Sequence, residues 1–246
     1  MTRPVCALAC PPIQLSRVRY DVQGAPDTAC FTLLHLGGVL ADDRVDLRVA
    51  LGPGTAAQIV FAAATQVYQM PHGNARHNVH LDLAPESRLR WLAEPLILFG
   101  GADFTQRTTV TLGDGAALAL LDVLVPGRLA RGEQFQFRRY VTQIEVRDGA
   151  GRLLVAERAV LEPERSMFNV PGMFGATPVV GSLFLLDQAL DAEACVAHIN
   201  QGADERIGAT VLPNNCGVLA RALGTSASEV KTKLLNASRQ VQQHMR

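Results

Sequence analysis

Segments in which apolar residues alternate with others, each followed by a turn and a second such segment, recur along much of the chain. The clearest unit alternates over residues 45–51, passes the turn Gly52-Pro53-Gly54 and resumes at 59–61. Period-two alternation that ends in glycine and proline is typical of a β-strand followed by a tight turn. The same arrangement returns twice, about 30 residues apart, and a less regular fourth unit follows, at 79–91, 110–120 and 144–155.

A repeat of about 30 residues restricts the architecture. Units of this size are typical of solenoid coils or stacked hairpins, in which each unit buries its apolar face only against its neighbours. An ordinary β-sandwich with regular hairpins explains the periodicity equally well. The sequence therefore predicts a mainly β protein, in which repeated hairpins form a solenoid-like or sandwich-like body.

The pattern changes near residue 163, where a loop rich in proline and glycine begins and continues to residue 178. Beyond the loop, the sequence predicts a strand, a short helix and a hairpin, over 179–186, 191–199 and 207–223. Asp191 is expected near the N-cap of the short helix.

A second helix is predicted at the C-terminus. Ser226 and Glu229 have the spacing of a capping box, and Val230, Leu234, Ala237 and Val241 then share one helical face. We expect a single domain over 1–246 with two helices in its C-terminal third. Residues 12–163 would form the β-repeat body. Residues 164–246 would form a loop followed by an α+β region.

The composition gives no reason to expect a nucleic acid or an anionic membrane as partner, because 23 basic and 23 acidic side chains balance to a formal net charge of zero. The apolar stretch 116–125 is well below the roughly 20 residues that span a bilayer. The five cysteines are odd in number and contain no C-x-x-C pair, which is typical of thiols in a reducing compartment. We therefore expect a soluble, cytoplasmic protein with no nucleic acid and no membrane as partner.

Several well-known catalytic motifs are absent from the chain. It contains no P-loop, dinucleotide-binding, zinc-protease or nucleophile-elbow pattern. The sequence therefore favours a protein without turnover of its own. Two alternatives stay open. One is a solenoid or sandwich enzyme acting on carbohydrate, in which Glu94 and Glu133 serve as the carboxylate pair; the other is a non-catalytic β binding module.

Acidic residues inside or beside apolar segments are the main candidates for contact with a cation: Asp42, Asp43, Glu94, Asp122, Glu133 and Glu157. An ionised carboxylate in such surroundings is paired, hydrated or bound to a metal ion, because its desolvation is otherwise costly. For each residue alone, an ion pair with a nearby arginine is the ordinary explanation. Four of them are predicted to share a polar interior that handles a cation transiently: Asp43, Glu94, Asp122 and Glu133.

Histidines are the other candidate ligands, since imidazole suits several borderline transition metals. His72, His77 and His80 lie close together in the sequence, and His35 lies elsewhere in the β region. On a strand, His77 and His80 would point to opposite faces because their separation is odd. A solvated loop and strand edge is therefore favoured over a metal role.

Three ordered groups of residues carry a resemblance to a known family. They are residues 63–68, which end in Gln-Val-Tyr, residues 91–99, with the pattern W-L-x-E-x-x-I-L-F, and residues 123–133, with the pattern V-L-V-x-G-R-x-A-R-G-E. In this order and spacing, the chain resembles the urease accessory proteins of the UreD family, also called UreH, over about 12–241. Gly37-Gly38-Val39 is similar to a family turn that usually continues into Gly-Gly-Asp, whereas here it continues as Ala41-Asp42-Asp43.

The resemblance implies a mainly β, solenoid-like body with two helices near the C-terminus. It also implies a scaffold that docks on the urease apoprotein and on a UreF-like accessory protein, which in turn engages a UreG-like GTPase that carries nickel. No tightly bound cofactor is implied, only transient nickel(II) in an internal, partly acidic passage. In this chain Asp43, Glu94, Asp122 and Glu133 are the residues expected in that passage.

The loop after residue 163 is the predicted partner surface. It carries the large apolar side chains of Met167, Phe168, Met173 and Phe174 in a segment too rich in proline and glycine for a regular core element. Apolar side chains on a loop are either buried under the fold or available to a partner. We expect Met173 and Phe174 to bind a UreF-like protein, with simple burial as the alternative.

Overall fold

The computed structural model describes residues 1–22, 25–168, 170–171, 173–201 and 206–244, with side chains described as far as residue 238. Within these ranges the strands are β1 (Ile13–Leu15), β2 (Ala29–His35), β3 (Arg44–Leu51), β4 (Ala56–Phe61), β5 (Thr65–Val67), β6 (Ala75–Leu83), β7 (Arg88–Leu92), β8 (Leu96–Leu98), β9 (Asp103–Leu112), β10 (Ala117–Val125), β11 (Arg139–Asp148), β12 (Leu153–Leu161), β13 (Val179–Leu186), β14 (Ile207–Val211) and β15 (Gly217–Gly224). The α-helices are α1 (Ala192–Gln201) and α2 (Ala227–His244).

Two sheets with parallel central strands form the body. The larger sheet contains β2, β4, β7 and β10 in parallel neighbouring positions, and the smaller sheet contains β3, β6, β9 and β11 in the same way. The chain alternates between the sheets, and each return places a new strand beside the preceding one. This is the arrangement of a β-solenoid, so the predicted mainly β, solenoid-like fold is confirmed.

The turns of the three regular units connect the two sheets instead of closing hairpins. Gly52-Pro53-Gly54 leads from β3 in the smaller sheet to β4 in the larger one. The turns after β6 and β9 make the same crossing. Of the four sequence units, the irregular fourth is the antiparallel hairpin, formed by β11 and β12. Period-two alternation identifies the apolar face of a strand but not the strand with which it pairs. The sequence therefore did not decide between hairpins and turns that connect two sheets.

Antiparallel strands flank the parallel coils. In the larger sheet, β1 pairs with β2 at one end, and β13, β15 and β14 follow β10 at the other. The smaller sheet ends with β12 on one side and with β3 on the other. The exposed positions of β3 include Arg44, Asp46 and Arg48, and charges on an edge strand discourage pairing with another chain. Residues after 163 thus contribute strands to the larger sheet, while the single-domain boundaries stay a prediction.

Apolar residues of successive coils lie in register and fill the space between the sheets. In the smaller sheet Leu81, Val110 and Val146 are direct neighbours, and in the larger sheet Trp91 lies beside Leu120. All five are buried in one core cluster. Burying side chains of this size contributes about 1.5–3 kcal/mol each before entropy is subtracted, so the stacked rows stabilise the coils that no single unit could stabilise alone.

Both predicted helices are present and begin where their capping residues indicate. The Asp191 carboxylate accepts the N–H of Ala194 at 3.0 Å ahead of α1. Ahead of α2, the Ser226 hydroxyl accepts the N–H of Glu229 at 3.2 Å, and the Glu229 carboxylate accepts the N–H of Thr225 at 2.9 Å. That backbone hydrogen bond, with help from Lys233, lowers the pKa of Glu229 to about 2.

The apolar face of α2 packs on the larger sheet. Val230, Leu234 and Ala237 are buried in a cluster with residues of β10, β13 and β15, as their helical spacing predicts, while the side chain of Val241 lies outside the described residues. Gly181 on β13 leaves room for the helix, because a Cβ atom there would lie 2.5 Å from a methyl carbon of Val230. No helix in the described ranges has the length and apolar character needed to cross a bilayer.

Candidate functional site

A small cavity lies between the two sheets of the solenoid. Its volume is about 50 Å³, enough for roughly three water molecules. Phe61, Trp91 and Leu120 line it from the larger sheet, and Val79 and Ile144 from the smaller one. The polar side chains in its lining come from several strands and from the loop after β7: Thr65, His77, Glu94, Gln106, Thr108 and Asp122.

Strand register brings polar residues together in this interior. His77 on β6 is the neighbour of Gln106 on β9, and Gln106 is the neighbour of Thr142 on β11. The inward positions before this row, Phe104 and Tyr140, are buried apolar or aromatic residues. The polar row was missed from the sequence, although aligning the repeats reveals a polar residue at the same place in three successive strands.

Asp122 on β10 occupies an environment that opposes its charge. Burial, together with the nearby charge of Glu157, raises the pKa of Asp122 to about 6. The backbone of Val123 and the side chain of Gln106 favour the ionised carboxylate, but they offset burial only in part. A cation in the cavity would therefore stabilise the ionised form of Asp122, and protonation would remove its unfavourable charge.

Glu94 is the second predicted carboxylate in the cavity lining. It lies in the loop between β7 and β8 and forms an ion pair with Lys231 of α2. Lys231 is one of the two lysines in the chain, and this ion pair links the C-terminal helix to a residue of the cavity lining. The structure thus brings Glu94 and Asp122 to one cavity, and their role in a cation passage stays a prediction.

Asp43 is not part of the cavity lining. It lies near His35, whose ring contacts the cavity residue His77. Its carboxylate accepts the N–H of Leu40 at 2.8 Å, which fixes the turn before β3. The charge of Asp43 favours protonation of His35, although burial outweighs it and lowers the pKa of His35. The His35 ring stacks on His77, with ring centroids 5.5 Å apart, and His77 lines the cavity.

Glu133 is held elsewhere in the molecule. Its carboxylate accepts hydrogen bonds from the N–H of Gly100 at 3.0 Å and from the guanidinium of Arg128, including Nε at 3.1 Å. The hydrogen bond from Arg128 lowers the pKa of Glu133. Since Glu133 is not among the cavity residues, its part in a passage stays a prediction, and its visible role is to fix the segment that follows β10.

Residues of the ordered sequence motifs lie against one another. The rings of Tyr68 and Phe99 pack with centroids 5.2 Å apart, and the guanidinium carbon of Arg128 lies 4.5 Å from the centroid of Phe99. A Cβ atom at Gly38 would lie 2.5 Å from the Tyr68 ring, so a larger residue would displace that ring. The motifs therefore describe one packed cluster, together with the Arg128–Glu133 ion pair.

The turn that differs from the family pattern keeps an unusual backbone. Asp42 has a φ of 67°, which lies in the left-handed region. Glycine adopts this conformation most easily, and aspartate is among the few other residues that tolerate it. Asp42 can therefore stand at a turn position that favours glycine.

The two residues of the predicted partner surface have different environments. Met173 is 50% exposed, whereas Phe174 is partly buried against an aromatic cluster. The Phe174 ring lies 5.2 Å from Phe135 and 6.0 Å from Phe168, measured between centroids. Met167, on the same loop, is 78% exposed. Burial thus accounts for Phe174 and Phe168, and the two methionines are the available apolar groups.

The remaining candidate histidines lie away from the cavity. His72 is exposed on a loop, and His80 points to the outer face, where its Nδ1 lies 2.8 Å from the Thr109 hydroxyl. The predicted opposite orientation of His77 and His80 is therefore confirmed. Across the described ranges, no group of three or more His, Cys, Asp or Glu side chains is placed to hold a metal ion.

The carboxylates of the enzyme alternative do not share a site. Glu94 lines the cavity and Glu133 does not, and pockets for small-molecule ligands commonly exceed roughly 300 Å³. An open depression of about 660 Å³ lies beside the turns that follow β6, β9 and β11. There the Asp148 carboxylate accepts the N–H groups of Ala150 and Arg152 and thereby closes a turn.

Comparisons with known proteins agree with this arrangement of motifs. The profile described as "UreD urease accessory protein" matches residues 6–246. The protein named urease accessory protein UreD from Trichodesmium erythraeum is 32% identical over 229 residues, covering 89% of this chain and 82% of that protein. Its namesake from Haloarcula marismortui is 35% identical over 219 residues, covering 87% and 72%. "Urease accessory protein UreD 2" from Streptomyces griseus is 32% identical over 221 residues, covering 87% and 75%. The chain belongs to the UreD family of urease accessory proteins.

Proposed function

We propose that this chain is a scaffold without turnover of its own, which assists nickel insertion into urease. In this proposal it docks on the urease apoprotein together with a UreF-like protein, which engages a UreG-like GTPase, and nickel(II) passes transiently through the solenoid. The observation that carries the proposal is the polar cavity between the sheets, with Asp122 and Glu94 in its lining. A protein that assists metal insertion has a use for carboxylates in such an interior.

The chemistry of the lining suits transit of a cation. A neutral imidazole and carboxylate oxygens are nitrogen and oxygen donors of the kind that bind nickel. Asp122 provides a charge that burial disfavours, so a divalent cation beside it recovers part of the lost solvation. Because the cavity holds only a few donors, the ion would be held weakly, as transfer to another protein requires.

A row of polar contacts supports a route from the surface to the interior. Asp43 lies at the turn before β3 and acts electrostatically on His35, whose ring stacks on His77. His77 and Asp122 then line the same cavity. Glu94, with its partner Lys231 on α2, lies in the lining as well. We propose that Glu94 and α2 mark the side toward the C-terminal part, where movement of Lys231 would free the carboxylate.

The UreF-like partner is proposed to bind the loop that carries Met173. Both Met173 and Met167 expose apolar side chains there, and methionine is common on surfaces that bind other proteins. Phe174 would support this surface from below through its contacts with Phe135 and Phe168.

Complementation tests the proposed function. The chain is co-expressed with a urease operon that lacks its own UreD, in medium with and without nickel. The proposal predicts active urease only when both the chain and nickel are present. Absence of rescue, together with hydrolysis of a polysaccharide by the purified protein, would replace the proposal with the carbohydrate-active alternative.

A further inference from the structure

Two histidines form a stacked pair inside the solenoid. His35 is the last residue of β2, in the larger sheet, and His77 lies on β6, in the smaller one. Their ring planes are inclined by 24°, with centroids 5.5 Å apart. The pair therefore spans the space between the two sheets, and His77 is at the same time part of the cavity lining.

The ring nitrogens of the pair lack well-formed hydrogen bonds. Both nitrogens of His35 and Nε2 of His77 are buried without a partner in good hydrogen-bond geometry. The backbone at Leu36 and Gly37 lies close enough to the His35 ring to favour its protonated form, but less than burial disfavours it. Leaving a buried polar atom unpaired costs about 1–3 kcal/mol. Three such atoms on two adjacent side chains are unusual, because most buried polar atoms in folded proteins are hydrogen-bonded. Buried polar atoms of this kind require an explanation, and a ligand bound beside the two rings supplies one.

Both rings favour the neutral form that binds metals. Burial, together with the neighbouring His35, lowers the pKa of His77 to about 3. Burial also lowers the pKa of His35. A neutral imidazole has a free lone pair on one nitrogen, and this lone pair is the group that binds a cation.

We propose that His35 and His77 together bind a borderline divalent metal ion at one end of the cavity, with water as the other ligands. The assignment of nickel(II) as this ion rests on the function proposed above. In that function, the histidine pair would be the first site at which nickel binds inside the solenoid. Two protein ligands make a weak and exchangeable site, which suits an ion that must move on. The charge of Asp43 near His35 attracts the cation from the surface side.

Two of the other histidines, His80 and His72, provide controls within the same chain. His80 lies on the same strand as His77 but on the outer face, where the Thr109 hydroxyl contacts its Nδ1. His72 is exposed on a loop. Surface binding of a metal ion would involve these two histidines, whereas the proposed site would not.

Paramagnetic nickel(II) distinguishes the two cases. The full chain, without an affinity tag, is labelled with nitrogen-15 and titrated with nickel chloride while the histidine ring signals are recorded. The His77 ring is identified by its contact with Phe104, since the two ring centroids are 4.9 Å apart. We expect the signals of His35 and His77 to broaden at the lowest nickel concentrations. Broadening confined to His72, His80 or other exposed groups would overturn the proposal.

Substitutions test the pair by affinity. His35→Gln and His77→Gln should each weaken nickel binding by at least about tenfold, since even residues that only support a metal ligand commonly cost that much. His80→Gln should bind nickel as the unsubstituted chain does. If His77→Gln does not fold, the less buried His35→Gln and the titration of the unsubstituted chain still decide the matter. Unchanged affinity in folded His35→Gln would contradict the proposal.

This inference and the proposed function can fail separately. Nickel binding at the pair without rescue of urease in the co-expression strain would leave the site in place and remove the accessory role. Rescue of urease by a chain whose paired histidines do not respond to nickel would support the accessory role and rule out the histidine site.

Discussion

Asp122 shows how one residue can oppose folding and still be useful. Its neighbours along β10 are leucine and valine, and its pKa is raised to about 6 by burial. A carboxyl group whose pKa is higher in the folded than in the unfolded protein favours folding when protonated and opposes it when ionised. Its destabilising effect is therefore small near pH 4 and fully present above about pH 6. A cavity residue kept at such a cost is better explained by a cation than by packing.

The amide variant should therefore be more stable than the parent protein at alkaline pH. A shift of about two pKa units corresponds to roughly 3 kcal/mol, so we expect Asp122→Asn to raise the free energy of unfolding by up to that amount near pH 8. Near pH 4.5 the gain should fall to about 1 kcal/mol. Denaturant unfolding at the two pH values measures the difference. The control is Asp46→Asn, at an exposed position of β3, and equal gains for both variants at both pH values would contradict the account.

At the scale of elements, the sequence predicted local structure better than it predicted neighbours. Asp191, Ser226 and Glu229 marked the starts of the helices because capping involves residues close in sequence. The solenoid repeat was visible for the same reason. Pairing between strands joins residues about 30 apart, so the inward row of His77 and Gln106 follows from register and not from local pattern.

Gly181 couples the C-terminal helix to the sheet, and its substitution tests this packing. A Cβ atom there would lie 2.5 Å from Val230 and 2.6 Å from Leu234, both fully buried. Overpacking of this kind typically costs about 1–3 kcal/mol, and we expect Gly181→Ala to lower the free energy of unfolding by that amount. Gly208→Ala on β14 is the matched control, because a Cβ atom there meets nothing within 4 Å. Equal stability of the two variants would show that α2 does not pack as described.

The loop that carries Met173, which is proposed to bind a UreF-like protein, gives a prediction that separates binding from folding. Met173 is half exposed, so Met173→Ser should leave stability nearly unchanged and reduce co-purification with a UreF-like protein. Phe174 packs on Phe135, so Phe174→Ser should cost about 2 kcal/mol or more of stability. Leu153→Ser, at an exposed position of β12, controls for loss of an apolar surface residue elsewhere. Full complex formation by Met173→Ser would place the interface on another surface.

At the scale of the whole molecule, the solenoid has an interior between its two sheets, and α2 packs on the larger sheet and reaches the cavity lining through the ion pair of Lys231 with Glu94. Two of the four carboxylates predicted from the sequence lie together in that interior, and a third lies beside the histidine pair. Their polarity was predictable because acids stood among apolar residues. Glu133 also stands among apolar residues in the sequence, but in the structure it forms an ion pair with Arg128. The sequence does not reveal which acidic residue lies close to an arginine in the folded protein.

The most direct test of a nickel passage is the metal content of urease matured with the Asp122→Asn chain. Urease is purified from the strain that lacks its own UreD and carries the parent chain, Asp122→Asn or the control Asp46→Asn, and nickel per active site is measured beside activity. We expect Asp122→Asn to fold, to bind its partners and to reduce nickel content by about tenfold, the scale on which loss of a group near a metal acts. Asp46→Asn should match the parent chain. Urease fully loaded with nickel by Asp122→Asn would contradict a passage through this cavity.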